Sequence, residues 1–287
     1  MGDDDDEAAL GEVRDRAKAN GLGPFRVTKT PHFMGIGDAP DKYRQDALDI
    51  CEAVARDGIE HFKSRGFPVA WPERKLVVVI LASDDSYAKF LGGPREEIVG
   101  GEYDRRTNRL TTFDFRQARG PANPMATRAN TVTLVHEVTH QWTFNSGLLD
   151  RKADVPVAIC EGLAMYAEER PPTGRVVPGG VNKGRVEGLR VGLKGGAKWT
   201  PLEQLLTEDD LGAAGNDAAW HLTYAQDWLL VYHLMQKNMI SAFQAYLERT
   251  KTRKDDSNRL EDAREKLGDL GKLNRELRDR ARKLAGV

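Results

Sequence analysis

The sequence has few cysteines, no long apolar run and almost no net charge. Of its 287 residues only Cys51 and Cys160 are cysteines, which excludes a disulfide-rich scaffold and a cysteine-ligated zinc finger. The longest apolar stretch, residues 76–82 (LVVVILA), is too short to span a bilayer and predicts a buried strand. Lys and Arg number 43 against 44 Asp and Glu, so no overall field favours nucleic acid as a partner.

Composition and periodicity divide the chain into a lead-in and one domain. Residues 1–23 are acidic and then glycine-bearing, which predicts a flexible lead-in, and they show neither the basic start nor the apolar segment of a secretory signal. Residues 24–285 are predicted to form a single domain. Its first lobe, residues 24–125, has the order strand, helix, strand and hairpin, which predicts a small mixed β-sheet, and its second lobe, residues 126–285, is mostly helical. The predicted fold class is therefore α+β.

The segment HEVTH, residues 136–140, is the first candidate for chemistry. On a helix, His136 and His140 point the same way one turn apart, which is the arrangement of two zinc ligands. Glu137 stands next to the first histidine, where it can reach a metal-activated water without binding the metal itself. The alternative is a core helix whose histidines hydrogen-bond to backbone or carboxylate groups.

A second helix is predicted to begin with Asp154 as its N-cap and to carry Glu161. The helical neighbours of Glu161 are Val157, Cys160 and Ala164, so its carboxylate lies on an apolar face. Burial of an unpaired carboxylate is costly, and such a group needs a cation or a proton. Two histidines and one glutamate are a common ligand set of catalytic Zn²⁺. The alternative partner for Glu161 is one of the many arginines.

The segments HEVTHQWTFNSG and VAICEGLAMYAEE together resemble the gluzincin metallopeptidases, which include thermolysin and the aminopeptidase-N-like enzymes. They resemble more closely the peptidase-MA-like bacterial proteins of unknown function that are common in planctomycetes. The likeness extends to GGEYDRRTNRL, VNKGRVEGLR, TPLEQLL and TYAQDWLLVYHLM, and so covers about residues 24–285. It implies a zincin-like catalytic domain, with Zn²⁺ on His136, His140 and Glu161 and with Glu137 as the general base.

The same resemblance implies a role for Tyr224. In the aminopeptidase-N-like enzymes a tyrosine at the start of a later helix stabilises the oxyanion, and Tyr224 occupies the matching place. The alternative is an aromatic residue that packs in the core or at a pocket rim. The upstream strand departs from the aminopeptidase pattern Gly-x-Met-Glu-Asn, because it reads GGEYD here. Glu102 is therefore no dependable counterpart of the glutamate that binds a free amino group, and the choice between endo- and exopeptidase stays open.

These features predict a zinc-dependent metallohydrolase, and first of all a peptidase that cleaves a peptide or protein substrate with a zinc-activated water and Glu137 as general base. The alternative is a non-catalytic, zinc-stabilised binding module for a peptide or a cell-surface polymer. Neither a nucleic acid partner nor a membrane span is expected, and the oligomeric state stays open. The bacterial relatives usually carry signal peptides, so the resemblance implies an extracytoplasmic location.

Overall fold

In the described residues, five β-strands interleaved with helices come first, and only helices follow them. The computed structural model describes residues 2–93, 100–118, 125–169, 178–211 and 217–287. Its first elements are α1 (Gly2–Ala19), β1 (Arg26–Lys29), β2 (Phe33–Gly37), α2 (Asp41–Lys63), β3 (Leu76–Leu81), α3 (Asp84–Leu91), β4 (Gly101–Asp104) and β5 (Arg109–Phe113). The later elements are α4 (Ala126–Thr143), α5 (Val157–Ala167), α6 (Lys183–Lys194), α7 (Leu202–Thr207), α8 (Asp217–Leu234), α9 (Ile240–Thr250), α10 (Arg259–Leu267) and α11 (Leu270–Ala285). The predicted α+β class is confirmed.

The five strands form one mixed sheet in the order β1-β2-β3-β5-β4. The central pairs β2–β3 and β3–β5 are parallel, and the edge strands β1 and β4 pair antiparallel with β2 and β5. All six residues of β3 are buried, as expected for a central strand covered on both faces. The predicted hairpin of residues 100–114 is confirmed as β4–β5, whereas the single strand predicted from residue 24 is a hairpin of β1 and β2 that turns at Pro31.

The predicted flexible lead-in contains helix α1. Leu10, Val13 and Ala17 lie at helical spacing and are at most 2% exposed. They join the hydrophobic cluster on one face of the sheet, which includes Val77 and Val79 of β3. Three apolar residues at helical spacing thus pack on the apolar surface that the sheet offers. The flexibility predicted for residues 1–23 stays a prediction.

Helix α2 tolerates a glycine in its interior because another helix lies against it. A Cβ atom on Gly58 would lie 2.6 Å from a ring carbon of Trp142 in α4, which is closer than real Cβ contacts. Trp142 itself is 1% exposed. A glycine in a helix interior is less favourable than alanine by about 1 kcal/mol. At position 58 it allows α2 and α4 to approach closely enough to bury the indole of Trp142.

Helix α8 is the central element of the later part of the chain. Three glycines leave no room for a Cβ atom beside α8: Gly162 of α5, and Gly188 and Gly192 of α6. A Cβ at these positions would lie 2.4, 3.0 and 2.6 Å from the nearest α8 atom, respectively, which is closer than van der Waals contact. Such glycines permit close approach of two helix backbones. Helices α5 and α6 therefore both pack directly on α8.

The last two helices, α10 and α11, are separated at a glycine. Gly268 ends α10 with φ of 84°, a conformation that an α-helix cannot continue. In α11 the residues Leu270, Leu273, Leu277 and Ala281 are buried. The apolar stripe therefore packs on the chain's own core.

The described chain packs as two compact units. The first comprises residues 1–59 and 70–146, and the second comprises residues 60–69 and 147–287. The first unit thus contains the sheet and α4, and the second contains α5 to α11. The prediction of one domain over residues 24–285, with lobes meeting at residue 125, stays a prediction.

Candidate metal centre

Helix α4 presents His136 and His140 on one face. Their Nε2 atoms are 3.1 Å apart, and their ring planes are inclined by 82°. Two nitrogen ligands of one tetrahedral zinc ion lie about 3.3 Å apart, because each Zn–N bond is about 2.0–2.1 Å long. The separation of the two imidazoles therefore fits two ligands of one ion.

Helix α5 supplies a third donor, Glu161. The ligand atoms of His136, His140 and Glu161 all lie within 4.8 Å of one another. His140 is 9% exposed, and the other two residues are partly buried. Two imidazole nitrogens and one carboxylate oxygen are donors that zinc takes in catalytic sites. The three residues predicted as ligands thus form a group that can hold a metal ion.

The start of α5 is held by residues far away in the sequence. The helix begins at Val157, whose backbone N–H donates to Oδ1 of Asp209 at 3.0 Å. Asp154 instead accepts a hydrogen bond from Nε of Arg259 at 2.7 Å, and the same guanidinium donates from both Nη atoms to Asp209 at 2.8 Å. The prediction of Asp154 as the N-cap is therefore wrong: the cap comes from Asp209, and Arg259 joins the two carboxylates.

The body of α5 is set by Gly162, the residue after Glu161. A Cβ at this position would lie 2.4 Å from the backbone oxygen of Asp227 and 2.6 Å from a methyl group of Val231, both in α8. Any side chain at position 162 would push the backbone of α5 away from α8. The glycine of EGLAMY therefore fixes the position of the neighbouring ligand.

The end of α5 is anchored by Tyr166, whose hydroxyl is hydrogen-bonded to Nε2 of His61 at 3.0 Å. Burial lowers the pKa of His61 to about 4, with a further contribution from the charge of Arg65. Burial also raises the pKa of Tyr166 to about 12. The pair is therefore a neutral hydrogen bond at pH 7. The hydroxyl of Tyr166 lies over Gly179, where a Cβ would lie 2.2 Å from the hydroxyl oxygen.

A buried carboxyl group lies near Glu161. Asp227 of α8 is 3% exposed, and its Oδ1 has no hydrogen-bond partner in the described part of the chain. Burial raises the pKa of Asp227 well above its usual range, and the negative charge of Glu161 raises it further. Burial and the nearby charge of Glu161 thus both disfavour the charged form of this carboxyl group.

The position of α4 is fixed by the side chains that follow its histidines. The amide of Gln141 is fully buried and donates to the backbone oxygens of Val77 in β3, at 2.9 Å, and of Asn108, at 3.2 Å. The side-chain amides of Asn145 and Asn108 bond to each other at 2.8 and 2.9 Å. Asn108 occupies the turn of the β4–β5 hairpin with φ of 57°. These amides tie the histidine helix to the sheet and to its hairpin.

Glu137, the predicted general base, is 9% exposed and lies against strand β4. A Cβ on Gly101 would lie 3.1 Å from Cγ of Glu137 and 2.9 Å from the methyl group of Thr133. Gly101 therefore lets the edge strand approach α4 beside the carboxylate. The role of Glu137 in catalysis stays a prediction.

Tyr224 lies in the first half of α8 and is partly buried. Its ring contacts that of Trp220 in a tilted arrangement, with centroids 4.5 Å apart and planes inclined by 33°. Its predicted contact with the oxyanion stays a prediction.

The sequence analysis did not identify several residues near the site, among them Asn108, Gln141, Arg259 and Asp227. Gln141 carries a usable signal, since a polar residue directly after HEVTH faces the core. Asn108 also carries one, because asparagine favours positive φ in a turn. Arg259 and Asp227 have no local signal, since their partners lie far away in the chain.

The comparisons with known proteins add a family match over part of the chain. A family model described as a protein of unknown function (DUF1570) matches residues 130–255, a stretch that contains His136, Glu137, His140, Glu161 and Tyr224. No curated protein matches the chain. Within the described residues, no helix is both long enough and apolar enough to cross a membrane.

Proposed function

We propose that the protein is a zinc-dependent hydrolase that cleaves peptide bonds. The observation that carries the proposal is the convergence of His136, His140 and Glu161, with ligand atoms within 4.8 Å of one another. Glu137 stands beside the first ligand on the same helix. A site that only stabilises the fold needs ligands and no base, whereas hydrolysis needs both.

Each residue has a distinct task in the proposed reaction. The zinc ion, when bound, supplies Lewis acidity toward water and the scissile carbonyl. The Glu137 carboxylate takes a proton from the attacking water while the water oxygen bonds to the carbonyl carbon. Tyr224 donates a hydrogen bond from its phenol to the developing oxyanion. The C–N bond then breaks, and Glu137 returns the proton to the leaving amine.

The resemblance of α4 and α5 to gluzincin metallopeptidases supports peptide bonds as the substrate. The matched family is one of unknown function, so the match gives no substrate. The choice of substrate therefore depends on the chemistry of the site. A carboxylate base adjacent to a His-His-Glu donor set is suited to attack by water on an amide.

Cleavage of a peptide library by the zinc-loaded protein, read by mass spectrometry, tests the proposal. We expect cleavage by the native protein and a loss of 10²-fold or more in Glu137→Gln, with zinc content unchanged. Glu187→Gln, which changes an exposed glutamate of α6 paired with Arg190, is the matched control and should cleave normally. A zinc-loaded native protein that cleaves nothing would contradict hydrolysis and favour the binding module. Full activity in Glu137→Gln would remove the proposed base.

A further inference from the structure

One stripe of α8 leads from the neighbourhood of Glu161 to the protein surface. Trp220, Tyr224, Asp227 and Val231 follow one another at intervals of four, three and four residues, so their side chains share one face of the helix. That face is turned toward α5, because Gly162 lies against the backbone of Asp227 and the side chain of Val231.

Exposure rises steadily along this stripe. Val231 is fully buried, Asp227 is 3% exposed, Tyr224 is partly buried and Trp220 is 40% exposed. On the adjacent face of α8, Gly188 and Gly192 of α6 lie against the backbone oxygen of His221 and the side chain of Leu222. The stripe of Trp220 thus opens to solvent at its N-terminal end.

The two aromatic rings at the open end form one surface. The rings of Trp220 and Tyr224 are in contact, with centroids 4.5 Å apart and planes tilted by 33°, and the imidazole of His221 stands edge-on to the indole at 5.0 Å. An exposed indole backed by a second ring is a preformed contact for an apolar group, because few rotamers are lost when it is covered.

We propose that Trp220, in ring contact with Tyr224, is a specificity-determining residue that receives a large apolar side chain of the peptide substrate. The inference rests on the proposed function of the same site. Asp227, whose backbone oxygen lies against Gly162 next to Glu161, and Trp220 are seven residues apart, or about 10 Å along the helix axis. An extended peptide spans this length in about three residues. The apolar side chain therefore lies within three positions of the scissile bond.

Binding of paired peptide hydroxamates to the zinc-loaded full chain tests the proposal without relying on turnover. The hydroxamate is the metal-binding group, and the peptides carry Phe or Ala at one of the first three positions beside it. We expect the native protein to bind the Phe compound about tenfold or more tightly than the Ala compound at one position, as measured by calorimetry. In Trp220→Ala this ratio should fall to about one, and Trp220→Phe should keep most of it.

Trp71→Ala is the matched control, because Trp71 is also a partly exposed tryptophan, stacked on His32 at 3.7 Å in the first unit. It should keep the native ratio. Thermal unfolding and zinc content of each variant separate a folding defect from a lost contact. A native ratio in folded Trp220→Ala would overturn the role of Trp220 and leave the proposed function standing. Failure of both hydroxamates to bind the native protein would overturn the metal centre and the inference with it. Tighter binding of chitotetraose than of either peptide, lost in Trp220→Ala, would overturn the peptide assignment.

Discussion

The helix that carries the two histidines and the helix that carries the glutamate are held by different chemistry. In the first unit, α4 is joined to the sheet by neutral amides, Gln141 and Asn145. In the second unit, α5 starts on a cluster of charges around Arg259 and ends on the buried pair His61–Tyr166. Neutral amides do not titrate and are little affected by salt, whereas ion pairs and a histidine respond to both. The position of Glu161 should therefore be the more sensitive to acid and to charge removal.

The largest effect is expected from Arg259→Met, which leaves Asp154 and Asp209 without their common cation. Removal of one partner from a buried ion pair costs about 3–5 kcal/mol, and the Arg259 side chain is only 5% exposed. Urea denaturation measures the change. Arg264→Met removes an exposed arginine of the same helix that pairs with Glu203 and should cost at most about 1 kcal/mol. Equal losses in the two variants would contradict the assigned importance of the cluster.

Acid should destabilise the protein through His61. Since burial lowers the pKa of His61 from 6.5 to about 4, the unfolded chain takes up this proton at a higher pH than the folded chain. Stability is therefore lost as the pH falls from about 6.5 to about 4, by on the order of 3 kcal/mol.

His61→Gln keeps a hydrogen-bond acceptor for Tyr166 and removes the titration. Thermal unfolding in the presence of a chelator, measured between pH 7 and pH 4, should show a smaller acid loss in this variant. Because both proteins retain His136 and His140, the difference between them isolates His61. Parallel curves would show that His61 does not carry the acid sensitivity.

In the first unit the corresponding test is Gln141→Leu. It removes the two hydrogen bonds that the amide donates to the backbone oxygens of Val77 and Asn108, at a cost of about 1–3 kcal/mol. The loss should be the same at low and high salt, unlike that of Arg259→Met. Gln45→Leu, at an exposed glutamine of α2 bonded to Asp49, is the control. A salt-dependent loss in Gln141→Leu would weaken the contrast between the two helices.

The smallest effect on stability is expected from Gly101→Ala. The new methyl group would lie 2.9 Å from the methyl group of Thr133 and 3.1 Å from Cγ of Glu137, so these side chains must shift, at a cost of about 1 kcal/mol. Peptide cleavage should nevertheless fall about tenfold or more, because the displaced carboxylate is the proposed base. Adding Thr133→Ser, which removes the contacted methyl group, should restore part of the activity. Unchanged cleavage in Gly101→Ala would show that the position of Glu137 is not set by β4.

Local patterns predict the elements that depend on their own residues. The apolar run of β3, the hairpin turn before Asn108 and the break at Gly268 all follow from short-range preferences. The donor group was also predictable, because helical spacing aligns His136 with His140 and an apolar helix face leaves Glu161 in need of a cation.

Long-range partners account for what the sequence did not reveal. The helix within residues 1–23 is not evident from the sequence, because nothing nearby shows the sheet face that buries Leu10 and Val13. Asp154 resembles a helix cap in the sequence because its partner Arg259 lies 105 residues further on. The close packing at Gly58 is not evident because Trp142 is far away in the chain. In each case tertiary packing overrides the local preference.

The proposed function depends most directly on the metal ion itself. Elemental mass spectrometry of the native chain and of Glu161→Ala, prepared in parallel and incubated with zinc at neutral pH, measures zinc per chain. We expect close to one zinc ion in the native protein and a clear loss in Glu161→Ala, with both proteins folded. No zinc in the native protein would contradict the metal centre and with it the proposed hydrolase.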